Sequence, residues 1–336
     1  MNIQHGGNLD QAKKLFPEVT GSWLDLSTGI NPYSYPFSSL DISLYEKLPS
    51  YSHEENLRQV AADYYGCKNK SCVALAPGTQ ILISLMPTVL NAKEVYVLYP
   101  TYEEYISSWW QAGVKVTRVV NFEDFETLCL QKNVVGVICN PNNPDGRKID
   151  IARLESLIKK WSVSGNHLIL DEAYMDFSGQ SMAYLLPSPG LLVLRSFGKT
   201  FGLAGLRVGF LLASPEIVQR IRYMLGLWPV NGPALQIAAE ALQDGLWKIE
   251  TEKKLRIQQK RLDAFLQSHS FNLVGGTLLF RLFYHRSAND IWKHLASHGI
   301  WVRKFDYNHN WLRFGLLYRQ ADWQRLEAVL LSIQEL

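Results

Sequence analysis

The stretch LLVLRSFGKTFGLAGLR, residues 191–207, decides the fold class of this chain. Residues 191–195 form a β-rich apolar run of the kind that makes a buried strand, and Lys199 follows shortly after it. A lysine just beyond a buried strand can lose enough hydration for its amine to attack a carbonyl carbon. The stretch therefore predicts an α/β sheet with a reactive amine at a strand end.

Similar apolar runs recur on both sides of this stretch, separated by helix-like segments. They cover residues 72–76, 94–99, 134–139, 167–170 and 208–213. Strands that alternate with helices indicate a mainly parallel sheet, with helices on both faces. Ligands of such sheets bind beyond the carboxyl ends of the strands. The predicted crevice is lined by Pro77-Gly78-Thr79-Gln80, Tyr99-Pro100-Thr101-Tyr102, Asn140-Pro141-Asn142-Asn143-Pro144, Asp171-Glu172-Ala173-Tyr174 and Ser196-Phe197-Gly198-Lys199.

The rest of the chain divides into three parts. We expect residues 1–40 to be an irregular segment that covers the site, residues 41–240 to be the large domain, and residues 241–336 to be a small α+β domain. In the small domain, strands are predicted at 272–283, 300–305 and 311–316, and helices at 289–298 and 321–334.

Composition excludes several classes of function. The net charge of +3 comes from 34 basic and 31 acidic residues without a basic block, so no nucleic-acid partner is expected. The four cysteines lack the spacing of a zinc site or disulfide framework, which predicts no metal and a reducing cytoplasm. No run of about 18 apolar residues is present, so no membrane span is expected.

Two other chemistries share fragments of the stretch around Lys199. Gly198-Lys199-Thr200 matches the end of a phosphate-binding P-loop, but Val193 stands where the first glycine belongs. Ser196 and Lys199 have the spacing of a penicillin-binding acylation motif, whose companion triplets are absent. Neither interpretation holds.

Pyridoxal 5'-phosphate (PLP) fits the strand ends better. This cofactor needs an acid for its pyridinium nitrogen, donors to its ring oxygen, an aromatic ring to stack on, and a cup for its phosphate. The matching residues are Asp171 for the nitrogen, Asn143 and Tyr174 for the ring oxygen, Tyr102 for stacking, and Gly78, Thr79, Gln80, Ser196 and Arg207 for the phosphate.

The order of these motifs resembles that of fold-type I PLP-dependent aminotransferases, in the branch of histidinol-phosphate aminotransferase. Within that branch, the chain most resembles the cobalamin-pathway threonine-phosphate decarboxylases. That resemblance is carried by His5-Gly6-Gly7-Asn8, Asp25-Leu26-Ser27-Thr28-Gly29-Ile30-Asn31-Pro32 and Trp311-Leu312-Arg313-Phe314-Gly315. It implies a large domain with a mainly parallel, seven-stranded-type sheet and a small C-terminal α+β domain.

The resemblance also implies residue roles. Lys199 is the catalytic lysine that forms the Schiff base, and Arg313 grips the substrate α-carboxylate. The remaining substrate contacts that it implies are Arg303, His5, Gly6, Asn31 and Asn143. Relatives have an Arg-Tyr-Pro motif whose tyrosine reaches the partner subunit's cofactor, and Tyr51 is the residue here that can replace it.

The resemblance leaves two reactions open. Decarboxylation of L-threonine O-3-phosphate would give (R)-1-amino-2-propanol O-2-phosphate, and an aminotransferase would use the same residues to remove the Cα proton. The orientation of the carboxylate, set by Arg313 and the N-terminal segment, decides between them. A third interpretation, a non-catalytic binding or assembly protein, needs neither Lys199 nor Asp171. The family resemblance further implies a homodimer with sites at the interface.

Overall fold

The computed structural model describes residues 5–67 and 69–332. The chain divides into two compact units. The central unit consists of Tyr35–Asn143 and Arg147–Trp247, and the terminal unit consists of the described residues up to Ser34, Pro144–Gly146, and the described residues from Lys248 on. The sequence-based domain boundaries stay a prediction.

The strands alternate with helices through the central unit and cluster in the terminal one. In chain order they are β1 (Leu24–Asp25), β2 (Val73–Ala76), β3 (Glu94–Leu98), β4 (Lys115–Val119), β5 (Val134–Cys139), β6 (His167–Asp171), β7 (Leu191–Ser196), β8 (Gly209–Leu212), β9 (Asn272–Gly276), β10 (Phe280–Tyr284), β11 (Ile300–Trp301), β12 (Arg303–Phe305) and β13 (Asn308–Gly315).

The helices vary from one turn to 24 residues. They are α1 (Leu9–Leu15), α2 (Ser43–Glu46), α3 (Tyr51–Tyr65), α4 (Thr79–Leu90), α5 (Glu104–Gln111), α6 (Phe122–Thr127), α7 (Ile151–Val163), α8 (Phe197–Thr200), α9 (Pro215–Leu225), α10 (Gly232–Gln243), α11 (Gly245–Ser268), α12 (Ala288–Ser297) and α13 (Gln320–Leu331). Among the described residues, no helix has both the length and the apolar character needed to cross a membrane.

The central unit contains a seven-stranded sheet with the order β2-β8-β7-β6-β5-β3-β4. All neighbouring strands are parallel except for β8, which runs antiparallel to both β2 and β7. The predicted mainly parallel sheet is confirmed. Strand β4 was not predicted, because its Lys115 and Arg118 are exposed at the sheet edge and interrupt the apolar run.

Both faces of this sheet are buried, and alternate strand residues enter different cores. Leu168 and Leu170 pack with residues of α3, α7 and α10, whereas Ile169 packs with residues of α4, α5 and α9. Side chains that alternate between two covered faces produce the continuous apolar runs seen in the sequence.

The terminal unit contains a four-stranded antiparallel sheet with the order β12-β13-β10-β9, and β1 pairs in parallel with β11. The strand predicted over 272–283 is instead the hairpin of β9 and β10. The chain turns after Gly276, whose φ of +147° is open to glycine and strained for other residues. The strand predicted over 300–305 is split between β11 and β12.

Candidate functional site

The parallel strands of the central unit place the predicted polar loops at one edge of the sheet. Strands β3, β5, β6 and β7 run in the same direction, so the residues that follow them emerge on the same side. Lys199 lies on the short helix α8 directly after β7, and Asp171 is the last residue of β6.

Asp171 is a buried carboxylate with fixed donors. The Tyr105 hydroxyl donates to its Oδ2 at 2.9 Å, and the Ala173 backbone N–H donates to its Oδ1 at 2.9 Å. Burial and the nearby Asp171 charge raise the pKa of Tyr105 well above its ordinary value, so this hydroxyl keeps its proton. The two donors orient the Asp171 carboxylate, which suits a partner for a protonated ring nitrogen. Sequence reasoning missed Tyr105.

Lys199 lies against a second predicted residue, Tyr174. The Lys199 Nζ is 4.4 Å from the centroid of the Tyr174 ring, within the range of a cation–π contact. Tyr174 is itself buried, and Lys199 is half-buried. The ring therefore holds the amine at a defined position near the end of β6.

The N-terminus of α4 and Arg207 form a compact cradle. Gly78 precedes α4 with a φ of +86°, and a Cβ built on it would lie 2.4 Å from Arg207 Nη2. Gly209 packs so closely that its Cβ would be 2.6 Å from the Gly78 carbonyl carbon and from the Thr79 nitrogen. Ser196 is the Cα partner of Gly209 across β7 and β8. Free N–H groups of a helix end beside a guanidinium suit a phosphate.

Tyr102 is tied to the start of α4 through Gln80. The Tyr102 hydroxyl donates to Gln80 Oε1 at 3.1 Å, and Gln80 Nε2 donates to Glu104 Oε2 at 2.7 Å. The side chain of Gln80 thus orients the predicted stacking ring, while its backbone belongs to the first turn of α4. Glu104 is a further residue that sequence reasoning missed.

The loop after β5 is held by two asparagines that precede Asn143. Asn140 Oδ1 accepts the Ile149 N–H at 2.9 Å. Asn142 is 2% exposed, accepts the Thr101 hydroxyl at 2.8 Å, and donates to the Pro100 carbonyl at 2.9 Å. These bonds fix the backbone on which the half-buried Asn143 stands.

A buried ionic network lies behind Lys199. Arg195 Nη1 donates to Glu172 Oε2 at 2.8 Å, and its Nη2 donates to Asp176 Oδ1 at 2.7 Å. The hydroxyl of Thr200, the residue after Lys199, donates to Asp176 Oδ2 at 2.5 Å. Burial disfavours the charge of Arg195, but Asp176 and Glu172 outweigh burial and raise its pKa. The network therefore joins the loop after β6 to the helix that carries Lys199.

The terminal unit brings two of its predicted arginines together. Arg303 and Arg313 are Cα partners on β12 and β13, so their side chains project from the same face of the sheet. Arg313 is 6% exposed, and its Nη2 donates to the Ser27 carbonyl at 2.9 Å. Like charges placed opposite each other repel unless an anion lies between them. The pair suits a ligand with more than one anionic group.

The other predicted residues of the terminal unit differ in position. Gly6 packs against Ser27, so that a Cβ on it would lie 2.4 Å from the Ser27 carbonyl oxygen. Asn31 is 2% exposed and accepts the Tyr33 N–H at 2.9 Å. His5 is exposed. Gly6 therefore shares a contact atom, the Ser27 carbonyl oxygen, with Arg313.

Comparison with known proteins adds a family and near full-length relatives. A family model described as aminotransferase class I and II matches residues 11–326. A threonine-phosphate decarboxylase of Pseudomonas aeruginosa is 35% identical over 334 residues, 99% of this chain and 98% of that protein. A threonine-phosphate decarboxylase of Sinorhizobium sp is 38% identical over 336 residues, with coverages of 99% and 98%.

A solved structure shares the fold. Histidinol-phosphate aminotransferase from Sinorhizobium meliloti, in complex with pyridoxal-5'-phosphate, aligns with a TM-score of 0.81 and 19% sequence identity. The alignment covers 99% of this chain and 96% of that one.

Proposed function

Because the chain belongs to the class I and II aminotransferase family, we propose that it is a PLP-dependent enzyme that decarboxylates L-threonine O-3-phosphate. Its fold is the predicted fold type I. The observation that supports this choice of substrate is the pairing of Arg303 with Arg313, because the substrate has two anionic groups, a carboxylate and a phosphate. Two relatives that match 99% of this chain are threonine-phosphate decarboxylases.

The residues of the central unit fit PLP. When bound, PLP supplies an electron sink for the electron pair left at the substrate Cα. Asp171, held by Tyr105, would keep a proton on the ring nitrogen, and the cradle of Gly78, Thr79 and Arg207 would hold the phosphate. Lys199 would hold the cofactor covalently through its Nζ. The other cofactor contacts are those that the sequence predicts. The ring would stack on Tyr102, its oxygen would accept from Asn143 and Tyr174, and its phosphate would also meet Gln80 and Ser196.

The substrate groups are assigned by their charges. Arg313 would bind the α-carboxylate and Arg303 the phosphate, with His5, Gly6, Asn31 and Asn143 as further contacts. In this reaction the bond from Cα to the carboxylate would break and CO2 would leave. The Lys199 amine, released when the substrate amine replaces it on the cofactor, would then donate a proton to Cα. The product then keeps its nitrogen and phosphate as (R)-1-amino-2-propanol O-2-phosphate, which we propose is used in cobalamin biosynthesis.

The test separates decarboxylation from transamination. PLP-loaded protein is incubated with L-threonine O-3-phosphate, with and without 2-oxoglutarate, and CO2, aminopropanol phosphate and glutamate are measured. We expect CO2 and aminopropanol phosphate in equal amounts, without any need for the oxo acid. Glutamate formed from histidinol phosphate, without CO2, would instead establish an aminotransferase. Protein that neither binds PLP nor changes either substrate would support a non-catalytic scaffold.

We also propose a homodimer. Exposed apolar residues cluster in the central unit, where Tyr51 is 71% exposed and Leu227 is 79% exposed. Both line a cavity of about 590 Å³ together with Trp228. Exposed apolar patches of this kind mark protein interfaces. Tyr51 is also the residue that the family resemblance would place at the partner subunit's cofactor.

Sedimentation would test the dimer. We expect twice the chain mass for the wild type and the mass of one chain for Leu227→Asp. Val163→Asp is the control, because Val163 is 82% exposed on α7 of the same unit and does not line the cavity. A wild type with the mass of one chain would contradict the proposal.

We place the enzyme in the cytoplasm, since all four cysteines are buried and free.

A further inference from the structure

Ser27 lies in a segment that is bonded on both sides within the terminal unit. The Leu26 N–H donates to the Trp301 carbonyl at 2.8 Å, and the Leu26 carbonyl accepts the Gly315 N–H at 2.7 Å. Gly315 is on β13, two residues beyond Arg313. Ser27 is 1% exposed. Its backbone is therefore held in place beside the strand that carries Arg313.

Ser27 bonds in three directions from this position. Its carbonyl accepts Arg313 Nη2 at 2.9 Å. Its N–H and hydroxyl donate to Asp25 Oδ1 at 2.8 and 2.6 Å, and its Oγ accepts the Gly7 N–H at 2.7 Å. The hydroxyl is thus used both as a donor and as an acceptor. One residue connects Arg313 to the N-terminal segment.

The N-terminal segment needs glycine to reach Ser27. A Cβ on Gly6 would lie 2.4 Å from the Ser27 oxygen, the same atom that accepts from Arg313. Gly7 has a φ of +83°, which disfavours other residues. A shift of Ser27 would therefore move both the N-terminal segment that packs on it and the oxygen that accepts a hydrogen bond from Arg313.

We propose that Ser27, held by Asp25, is a positioning residue that sets the reaction specificity. This inference rests on the proposed function, in which Arg313 binds the substrate carboxylate. The bond broken at Cα depends on the direction in which the carboxylate points, and small misplacements change rates strongly. Ser27 fixes that direction by holding Arg313 and, through Gly7, the chain next to it.

The experiment measures how faithfully the enzyme decarboxylates. In the transamination side reaction, the amino group stays on the cofactor and an oxo acid leaves, so further turnover requires an added oxo acid. The readout is the number of CO2 molecules that each enzyme molecule releases before it stops and needs an added oxo acid to continue. For Ser27→Ala, which keeps the carbonyl but loses the hydroxyl, we expect this number to fall about tenfold and KM to rise about tenfold.

Two sets of variants separate positioning from general stability. Asp25→Ala should reproduce the effect, and Asp25→Asn should restore it, because the amide keeps an acceptor oxygen for Ser27. The control is Thr277→Val, which removes another buried hydroxyl of the terminal unit, one that accepts the Leu279 N–H at 3.1 Å. It should lower the melting temperature without changing the CO2 count. The Asp25 pair keeps the test valid if Ser27→Ala does not fold.

The possible failures are distinguishable. If wild type releases CO2 and both Ser27→Ala and Asp25→Ala match its CO2 count and KM, the inference is overturned and the proposed function stands. An equal fall in the CO2 count for Thr277→Val would also overturn it. If wild type itself releases no CO2 from L-threonine O-3-phosphate, the proposed function fails and the inference falls with it.

Discussion

Arg195 in the central unit lies between the carboxylates of Glu172 and Asp176, at 2.8 and 2.7 Å. In the terminal unit, Arg313 stands opposite Arg303 and donates to the backbone carbonyl of Ser27. A buried cation held between fixed carboxylates builds a rigid support. Arg303 and Arg313 are the residues that we propose to bind the two anionic groups of the substrate. Arg195 is therefore paired with carboxylates of its own unit, whereas Arg303 and Arg313 would act on the substrate.

The largest effect should come from Lys199→Ala, which removes the reactive amine from the central unit. We expect the rate of CO2 release to fall by at least about 10³–10⁴-fold. The yellow colour of bound PLP should also disappear on dialysis. Lys148→Ala is the control, because Lys148 is an exposed lysine of the same unit that donates to the Ser178 carbonyl. Activity that survives in Lys199→Ala would show that another amine holds the cofactor.

The support behind Lys199 is tested by Arg195→Met. This change leaves Glu172 and Asp176 buried without their cation, so the free energy of unfolding should fall by about 3–5 kcal/mol. Denaturant unfolding would measure it. Arg153→Met removes the exposed pairs with Glu123 and Glu126 and should change little. Equal losses in the two variants would remove the contrast between a buried support and surface pairs.

A change of Arg313 in the terminal unit should affect substrate binding more than stability. Arg313→Lys keeps the charge but loses the planar fork, and we expect kcat/KM to fall about 100-fold. Arg281→Lys is the comparison, because Arg281 is on β10 of the same sheet and is already paired with Asp263 at 2.8 and 2.9 Å. It should cost stability and leave kcat/KM near that of wild type. The reverse pattern would show that Arg281, and not Arg313, meets the substrate.

The smallest effect concerns His167, at the end of β6 opposite to Asp171. Burial and the charge of Arg220 lower the pKa of His167 below its usual value of 6.5. Below pH 6.5 the unfolded chain therefore binds a proton at His167 more readily than the folded chain does. The contribution of neutral His167 to stability is present above pH 6.5 and is lost as the pH falls towards the lowered pKa. His167→Gln should flatten the dependence of melting temperature on pH between about 7 and 5. An unchanged slope would show that other groups cause the dependence of the melting temperature on pH.

The sequence was sufficient where chemistry depends on residues close in the chain. Lys199 after β7 and Asp171 at the end of β6 follow from apolar runs and what comes next to them. Contacts between segments that are distant in the chain could not be predicted from the sequence. Tyr105 donates to Asp171 across 66 positions, and Arg313 reaches Ser27 across 286. No local pattern distinguishes such a tyrosine or serine from one that only packs.

The fold shows the same limit. The six buried strands were predicted because both of their faces are covered, whereas β4 has a polar, exposed side at the sheet edge. The hairpin of β9 and β10 was predicted as one strand, since apolar residues on both sides of the turn hid the change of direction at Gly276.

The pairing of β1 with β11 has a consequence for biosynthesis. Leu24 pairs with Ile300, and the Leu26 carbonyl accepts the Gly315 N–H. An early segment of the chain therefore forms its hydrogen bonds only after residues near the end have been synthesised. At roughly 5–20 residues per second on the ribosome, about 275 residues take about 14–55 s. During that time residues 24–26 lack their strand partners, whereas the sheet from β2 to β8 is already synthesised. A nascent chain that stops before β13 has made Lys199, the proposed cofactor lysine, but lacks Arg313, the proposed ligand of the substrate carboxylate.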